Sequence, residues 1–350
     1  MITLTIGGNP HTGALEDGTL SIRHYGALRS SFRATLHYNA IPEQLPKVGQ
    51  EILLSEDETL LWGGILVEAE QICHSTESFT MTLRGQGYEQ ILQRYCLPGI
   101  ALEELSPSEA AKYIFNTYLD PKDQLLLGTV EEGLTQRFPY RFYPAKASSV
   151  FDYLAKENGF VWWIDKTKTF QMKSVLPKVE EALCIDLTGR KPNRLEDLQT
   201  FLYRSSTAEC KNTQYIYNKQ TDVEGVSTKP LLVREMSGRF GSGQYGASAT
   251  NSVVTNEEEA QRVAQQILSA NPGLGEIEFT TDSDVFVPGQ VIDVIAPVCG
   301  INRETLFCIT EIRAVYFYNR FRYTITARET DADPLSTTAW ETILATGSTH

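Results

Sequence analysis

The sequence predicts a mainly β protein with an α+β insertion, in which two antiparallel β-barrels are joined by a helix-hairpin middle domain. Three observations support this fold class: strand-like alternation in both end regions, helix signals between them, and a repeated order of strands. The 350 residues are enough for two or three domains at the usual ~100 to 150 residues each. The predicted limits are 1–98 for the first barrel, 99–181 for the middle domain, 182–330 for the second barrel and 331–350 for a polar C-terminal tail.

Composition and charge narrow the classes of function. Charged residues at 21% and hydrophobic residues at 41% are typical of a soluble fold, and no apolar run approaches the ~18 residues that a membrane span needs. The N-terminus opens as a strand without a basic leader, so no cleaved signal is expected. A net charge of −13 repels phosphate, which argues against sequence-specific nucleic-acid binding. Six cysteines without a CxxC pair predict reduced, mostly buried thiols at Cys73, Cys96, Cys184, Cys210, Cys299 and Cys308.

Residues 1–98 carry dense strand signals and no convincing long helix. Ile2, Leu4 and Ile6 alternate with polar residues and open the chain as a strand. Further strand signals lie at 32–38, 52–54, 60–67 and 79–83. Short strands at this spacing predict a closed or nearly closed antiparallel barrel, or a sandwich.

Two helices are predicted in the middle domain. Ser106 and Glu109 form a capping box with Pro107 at the first helical position, and this helix should end at Asp120 and Pro121. The second helix begins the segment 149–175, where Ser149 is the predicted cap, with Asp152 three residues later, and Asn158 with Gly159 supplies the stop.

A hairpin follows the second helix. Phe160, Trp162 and Ile164 alternate on one strand, the turn is at 165–168, and Phe170 begins the return strand. A helix on a two-stranded ribbon buries too little to stand alone. We therefore expect the segment 149–175 to act as a joint packed between larger elements on either side of it.

Strand signals dominate again from Leu183 onward. They are strongest at 201–203, 215–217, 291–295, 307–315 and 321–327. Between them lie a glycine- and serine-rich run at 237–250, predicted to be a mobile loop, and a helix at about 255–268.

Three strand segments recur in the same order in the first and third domains. In the first domain they are 46–52, 61–69 and 79–83, and in the third they are 287–292, 307–314 and 321–326. In both copies a Gly-Gln pair, at Gly49 and at Gly289, stands ahead of an apolar strand. Any two antiparallel domains share strand-turn-strand patterns, but the shared Gly-Gln pair favours a structural duplication.

These segments resemble the baseplate hub or tail-hub proteins of phages and phage-derived contractile particles, including the N-terminal structural part of tail-associated lysins. The resemblance covers about residues 20–330. It rests on the order of three motifs: a Val-Gly-Gln strand (48–50) leading to Leu-Trp-Gly-Gly-Ile (61–65), a Gly-Phe-Val-Trp-Trp-Ile-Asp hairpin (159–165) after a helix, and a Pro-Gly-Gln strand (288–290) followed by Phe-x-Ile-x-Glu-Ile (307–312).

The resemblance implies two tail-tube-type barrels in a homotrimer between a six-fold tail tube and a three-fold central spike. The implied partners are tail tube subunits, the spike protein and the tape measure protein. The implied location is the baseplate of a virion or of a contractile, tailocin-like particle assembled in the bacterial host cytoplasm. Some relatives carry a C-terminal lytic domain, but this chain stops near residue 350, so no enzyme is expected.

The sequence identifies no catalytic, cofactor-binding or metal-binding residues. Residues 241–246 match GxGxxG, but the strand and helix that a dinucleotide site needs do not flank it directly. His11, His24, His37, His74 and His350 form no HExxH pattern and are interpreted as solvated or hydrogen-bonded surface residues. A GxSxG elbow is lacking.

Two alternatives stay open at this stage. The first is a particle-associated cell-wall hydrolase using acids such as Asp282 and Asp284, or those at 257–259, although turn chemistry and a helix dipole explain them equally well. The second is a carbohydrate-binding tail adhesin, for which Trp162 and Trp163 offer sugar-stacking surfaces. One of two adjacent strand residues normally faces the core, so at most one of them is expected to be available.

Overall fold

The computed structural model describes residues 1–25, 29–119, 121–133, 137–158, 160–173, 184–205, 213–217, 232–235, 246–250 and 275–329. These residues fall into two compact units. The first unit takes those within Met1–Val179, Thr280–Pro288 and Glu311–Ile325, and the second takes those within Glu180–Phe279, Gly289–Thr310 and Thr326–His350. The domain limits expected from the sequence stay a prediction.

An antiparallel sheet with an apolar inner face begins the first unit. Its strands are β1 (Ile2–Ile6), β2 (Asn9–Pro10), β3 (Ser21–Tyr25), β4 (Arg29–Tyr38), β5 (Glu51–Glu56), β6 (Thr59–Cys73) and β7 (Phe79–Gly87). They are hydrogen-bonded in the order β3-β4-β7-β6-β5-β1-β2. On β4 the predicted alternation is confirmed, because Phe32, Ala34 and Leu36 are buried and the residues between them are not.

Helices and short strands form the α+β part of the first unit. They are α1 (Glu89–Arg94), β8 (Cys96–Leu97), β9 (Ile100–Leu105), α2 (Pro107–Tyr118), β10 (Leu126–Val130), β11 (Phe138–Phe142), β12 (Ala145–Lys146), α3 (Ala147–Asn158), β13 (Val161–Ile164) and β14 (Thr169–Lys173). The capping box of α2 is confirmed: Ser106 Oγ accepts from the Glu109 N–H at 3.2 Å, and the Glu109 carboxylate accepts from the Ser106 N–H at 2.9 Å.

Helix α3 begins two residues before its predicted cap, so the assignment of Ser149 as the cap was wrong. The N–H of Ala147 donates to the Tyr95 carbonyl at 2.9 Å, directly after β12 pairs with β8. The start of α3 is therefore set by strand pairing with a distant part of the chain.

The predicted hairpin after α3 is confirmed. β13 pairs antiparallel with β14, and Asp165 holds the turn by accepting from the backbone N–H groups of Thr167 and Thr169. The sequence did not predict β10, which pairs in parallel with β14. Trp162 and Trp163 are both buried, which leaves neither ring available to stack on a sugar.

The later strands belong wholly or partly to the second unit. They are β15 (Cys184–Asp186), β16 (Thr200–Ser205), β17 (Thr213–Tyr217), β18 (Leu232–Glu235), β19 (Gly246–Thr250), β20 (Gly275–Thr281), β21 (Val291–Ala296), β22 (Ile301–Phe317) and β23 (Arg320–Glu329). β20, β22 and β23 contribute residues to both units. Short 3-10 helices span Thr12–Ala14, Pro121–Asp123 and Pro297–Cys299.

Strand β19 corrects one prediction. It pairs in parallel with β17, so the residues Gly246–Thr250 are a strand and not part of the predicted loop at 237–250. The rest of that loop, the predicted helix at 255–268 and the predicted tail lie outside the described residues.

The fold is mainly β, with a large antiparallel sheet. The strand pairings within the described ranges follow an open path, so they do not confirm closed barrels. No helix in this part of the chain is both long and apolar enough to cross a membrane.

Candidate functional site

The predicted Gly-Gln repeat has a defined backbone geometry in its first copy. The N–H of Gly49 donates to the Leu66 carbonyl at 2.7 Å, and the N–H of Leu66 donates to the Gln50 carbonyl at 2.8 Å. Gly49 has a φ of +92°, a conformation that favours glycine. This turn joins the start of β5 to the middle of β6.

The second copy makes the same two bonds. Gly289 donates to the Ile309 carbonyl at 2.7 Å, Ile309 donates to the Gln290 carbonyl at 2.8 Å, and Gly289 has a φ of +87°. The strands that follow also run in the same order, since β6 lies between β5 and β7 and β22 pairs with β21 and β23. The repeat expected from the sequence is thus a repeated three-strand meander with a shared turn.

The Trp-Gly-Gly motif packs a tryptophan ring over the sheet's own backbone. Trp62 is buried, stacks on Phe32 with ring centroids 5.2 Å apart, and donates from Nε1 to Ser30 Oγ at 2.8 Å. A Cβ added at Gly64 would lie 2.2 Å from the Gln86 carbonyl oxygen and 2.4 Å from the Trp62 ring. Only glycine leaves room for this packing.

The neighbouring glycine admits the hairpin. A Cβ at Gly63 would lie 2.9 Å from the carbonyl oxygen of Lys166, in the β13–β14 turn, and 2.9 Å from Tyr88. Close backbone approach is a recognised reason for glycine inside a strand, so the Gly-Gly pair was a signal for this contact. We call the contacts of α3 and the β13–β14 hairpin with β4, β5 and β6 the junction.

A polar cluster lies within the junction. Lys168 Nζ lies 3.0 Å from Glu51 Oε1 and 5.4 Å from the centre of the Tyr88 ring, and the Tyr88 hydroxyl donates to the same carboxylate oxygen. Burial and the Glu51 carboxylate raise the pKa of Tyr88, which keeps the phenol protonated as a donor.

A second polar cluster links α3, the hairpin and β4. Asp152 on α3 accepts from Trp162 Nε1 at 2.8 Å and from Arg29 at 3.1 Å, and the Arg29 guanidinium lies 5.7 Å from the centre of the Trp162 ring. Two distant parts of the chain, Arg29 on β4 and the helix-hairpin segment, therefore meet at one carboxylate. The segment 149–175 thus packs on strands that precede it in the chain. Its predicted role as a joint between larger elements on both sides stays a prediction, because residues 174–183 lie outside the described ranges.

Glu89 is a buried carboxyl group beside the junction. Its Oε1 accepts from the Ser30 N–H at 3.0 Å, and that residue's hydroxyl also holds Trp62. Burial raises the pKa of Glu89 to about 7, although the Ser30 N–H and the Arg29 charge oppose the rise. Burial and the Lys166 ammonium lower the pKa of the half-buried His24 to about 4.

We expect Glu89→Gln to change the pH dependence of stability. The folded chain holds the Glu89 proton up to about pH 7, against an ordinary value of 4.5, so ionisation costs stability as pH rises through this window. Glutamine keeps an acceptor for Ser30 but has no charge to bury. The free energy of unfolding of the variant, relative to that of the wild type, should therefore increase as pH rises from 4.5 to 7. The difference should then stay constant above pH 7.

Urea unfolding at several pH values measures this difference. The pKa of His24 is lowered from 6.5 to about 4, so its titration raises the free energy of unfolding as pH rises through that range. This contribution is present in both the wild type and the variant, so the difference between them reports on Glu89. A difference that stays constant from pH 4 to pH 8 would show that Glu89 does not titrate there.

Each described residue considered for chemistry has a structural environment of its own. Asp282 is paired with Arg320 at 2.9 Å, which supports a structural role for this acid. His37 and His74 are exposed and share the Thr80 hydroxyl, as expected of surface residues. His11, in contrast, is buried at 2.8 Å from the Tyr38 hydroxyl, next to a cavity of about 370 Å³.

The thiols differ from expectation. Cys184 and Cys308 are buried, but Cys73 and Cys96 are exposed, so the prediction of mostly buried thiols was wrong for that pair. The described cysteines are free, and Cys210 and the acids at 257–259 lie outside the described ranges. Within those ranges, no group of three or more histidine, cysteine or acidic side chains is placed to hold a metal ion.

Solved structures with the same fold include two bacterial or prophage tail proteins and a secretion-system component. The 43 kDa tail protein of prophage MuSo2 from Shewanella oneidensis matches with a TM-score of 0.68 at 14% identity, over 95% of this chain and 98% of that one. A tail protein from Neisseria meningitidis matches with a TM-score of 0.68 at 13% identity, over 97% of this chain and 98% of that one.

A third structure is the E. coli c3393 protein, a type VI secretion component described as structurally similar to the bacteriophage T4 tail proteins gp27 and gp5. It matches with a TM-score of 0.53 at 12% identity, over 95% of this chain and 77% of that one. No protein-family model and no curated protein matches the sequence. The resemblance to tail-hub proteins is thus confirmed at the level of the fold.

Proposed function

We propose that this chain is a structural hub subunit of a phage tail or contractile injection particle. In this proposal three copies form an adaptor between a six-fold tail tube and a three-fold central spike. The observation that carries the proposal is a fold match over nearly the whole length of both chains with tail proteins of two bacteria.

The repeated meander supports the adaptor geometry. Each chain has two copies of the Gly-Gln turn and its strands, so three chains supply six similar elements to meet a six-fold tube while keeping three-fold symmetry. We also propose that each copy belongs to a complete tail-tube-type barrel, the first at residues 1–98 and the second at residues 182–330. The middle domain then holds the first barrel through the junction.

The proposed partners are further copies of this chain, the tail tube subunits, the central spike protein and the tape measure protein. The proposed location is the baseplate, after assembly in the host cytoplasm. The proposed role is structural, and no catalysis is assigned to any residue. The Asp282–Arg320 pair and the burial of Trp162 and Trp163 favour this role over a hydrolase or a sugar-binding adhesin.

The test is the mass of the purified chain in solution, measured by multi-angle light scattering, together with electron microscopy of particles that lack the subunit. We expect a mass of three chains and particles in which the tube and the spike are not joined. The closed cyclic symmetry of a trimer requires one surface of each chain to fit a different surface of the next.

A stable dimer, or normal particles without the subunit, would contradict the adaptor role. A zymogram on bacterial cell walls distinguishes the structural role from that of a hydrolase. The structural role predicts no clearing of the cell-wall substrate. Clearing that survives purification and disappears in Asp282→Asn would replace the structural role with an enzymatic one.

A further inference from the structure

An arginine band crosses the exposed face of the first unit's sheet. On β22 and β3, Arg313 stands directly opposite Arg23, and on β4 and β7, Arg33 stands directly opposite Arg84. All four side chains lie on the face away from the apolar core, and all four residues are exposed. β22, β3, β4 and β7 are consecutive neighbours, and Arg33 lies two residues along β4 from Ser31, the partner of Arg23, so the two arginine pairs are diagonal neighbours.

Like charges directly opposite each other destabilise an antiparallel pair, and this band contains two such pairs. Each pair has one carboxylate beside it: Glu311 binds Arg23 at 2.5 and 2.7 Å, and Glu68 binds Arg84 at 3.1 Å. Among the described residues, Arg33 and Arg313 have no ion pair or hydrogen bond from the guanidinium. The band therefore keeps an uncompensated positive charge on each pair.

The rest of the chain has the complementary charge. The chain carries 44 acidic against 31 basic side chains, so the chain outside the four arginines of the band has a net negative charge. A cyclic homotrimer joins two different surfaces of the same chain. A basic band and an acidic remainder satisfy that requirement, and opposite charges both steer the encounter and fix the register of two copies.

We propose that the arginine band is an interface at which one copy of this chain binds the acidic surface of the next copy. This inference rests on the proposed trimer and identifies the surface that forms it. The cross-strand repulsion within each copy is relieved when the neighbour's carboxylates approach Arg33 and Arg313.

The test is Arg33→Glu combined with Arg313→Glu in the full-length chain. Each substitution places a carboxylate opposite a remaining arginine, Arg84 or Arg23, so the sheet itself should fold at least as well as before. Assembly should be lost, because the same carboxylates repel the neighbour's acidic surface. We expect a single-chain mass by light scattering at every salt concentration, with an unchanged circular dichroism spectrum.

The wild type should assemble at low salt and lose mass as salt is raised, because screening weakens contacts between exposed charges. The matched control is Lys47→Glu with Arg303→Glu, two exposed cations outside the band whose reversal changes the net charge equally. The control should keep the assembled mass.

Any one of four results would overturn the inference. A double band variant that keeps the trimer, or a control that loses it equally, would rule out a specific role for the band. A band variant that keeps the trimer but no longer binds a heparin column would make the band a polyanion site. A wild type of single-chain mass at low salt would overturn the proposed trimer itself, and the inference with it.

Discussion

Gly64→Ala is expected to lower the free energy of unfolding by about 3 kcal/mol, the upper part of the range for overpacking a well-packed site. The added methyl group would lie 2.2 Å from the carbonyl oxygen of Gln86 and 2.4 Å from the ring of Trp62. Neither can withdraw freely, because Gln86 is paired in β7 and Trp62 is held by Ser30 and Phe32. Equilibrium urea unfolding, followed by tryptophan fluorescence, measures the loss.

Gly13→Ala is the matched control. A Cβ at Gly13 meets nothing within 4 Å, and its φ is not in the left-handed region, so the same methyl group should be neutral or slightly stabilising there. Equal stability of the Gly64→Ala and Gly13→Ala chains would mean that the backbone at Gly64 shifts to accept the methyl group. The explanation of the Trp-Gly-Gly motif by close packing would then be wrong.

The sequence predicts this fold best where the determining contacts are local. The capping box at Ser106 and Glu109 depends on residues three apart, and it forms as expected. The alternation on β4 follows from the two-residue period of a strand. The Gly-Gln turns were found through their repetition, and their hydrogen bonds explain why the pair recurs.

Contacts between distant residues explain what the sequence did not predict. Strand β10 depends on parallel pairing with β14, and the start of α3 depends on pairing between β12 and β8. Neither pairing leaves a periodic signal in its own segment. Arg29 and Asp152 are 123 positions apart, so no local sequence pattern predicts their ion pair. The Gly63-Gly64 pair was the available hint that another backbone comes close.

The arginine band also depends partly on local sequence and partly on contacts between distant strands. The alternation in each strand places Arg23, Arg33, Arg84 and Arg313 on exposed faces. Only the register between strands brings them into opposing pairs. The net charge of −13 averages over the chain and hides this basic surface.

Phe170→Ala is expected to cost about 3 to 5 kcal/mol, the usual range for removing a buried phenylalanine. Phe170 is fully buried on β14, with ring centroids 4.7 Å from Phe151, 5.3 Å from Phe115 and 5.9 Å from Trp162. Truncation leaves a cavity between α2, α3 and the hairpin, and aromatic contacts from three elements are lost together. The urea midpoint should fall with little change in the denaturant slope.

The effect should also reach the junction. Phe170 packs on Phe151, the residue before Asp152, and on Trp162, which donates a hydrogen bond to the Asp152 carboxylate. The matched control is Tyr143→Ala, which removes an aromatic ring that is 87% exposed and should change stability by less than about 0.5 kcal/mol. If both variants unfold at the same urea concentration, the aromatic cluster around Phe170 does not stabilise the middle domain.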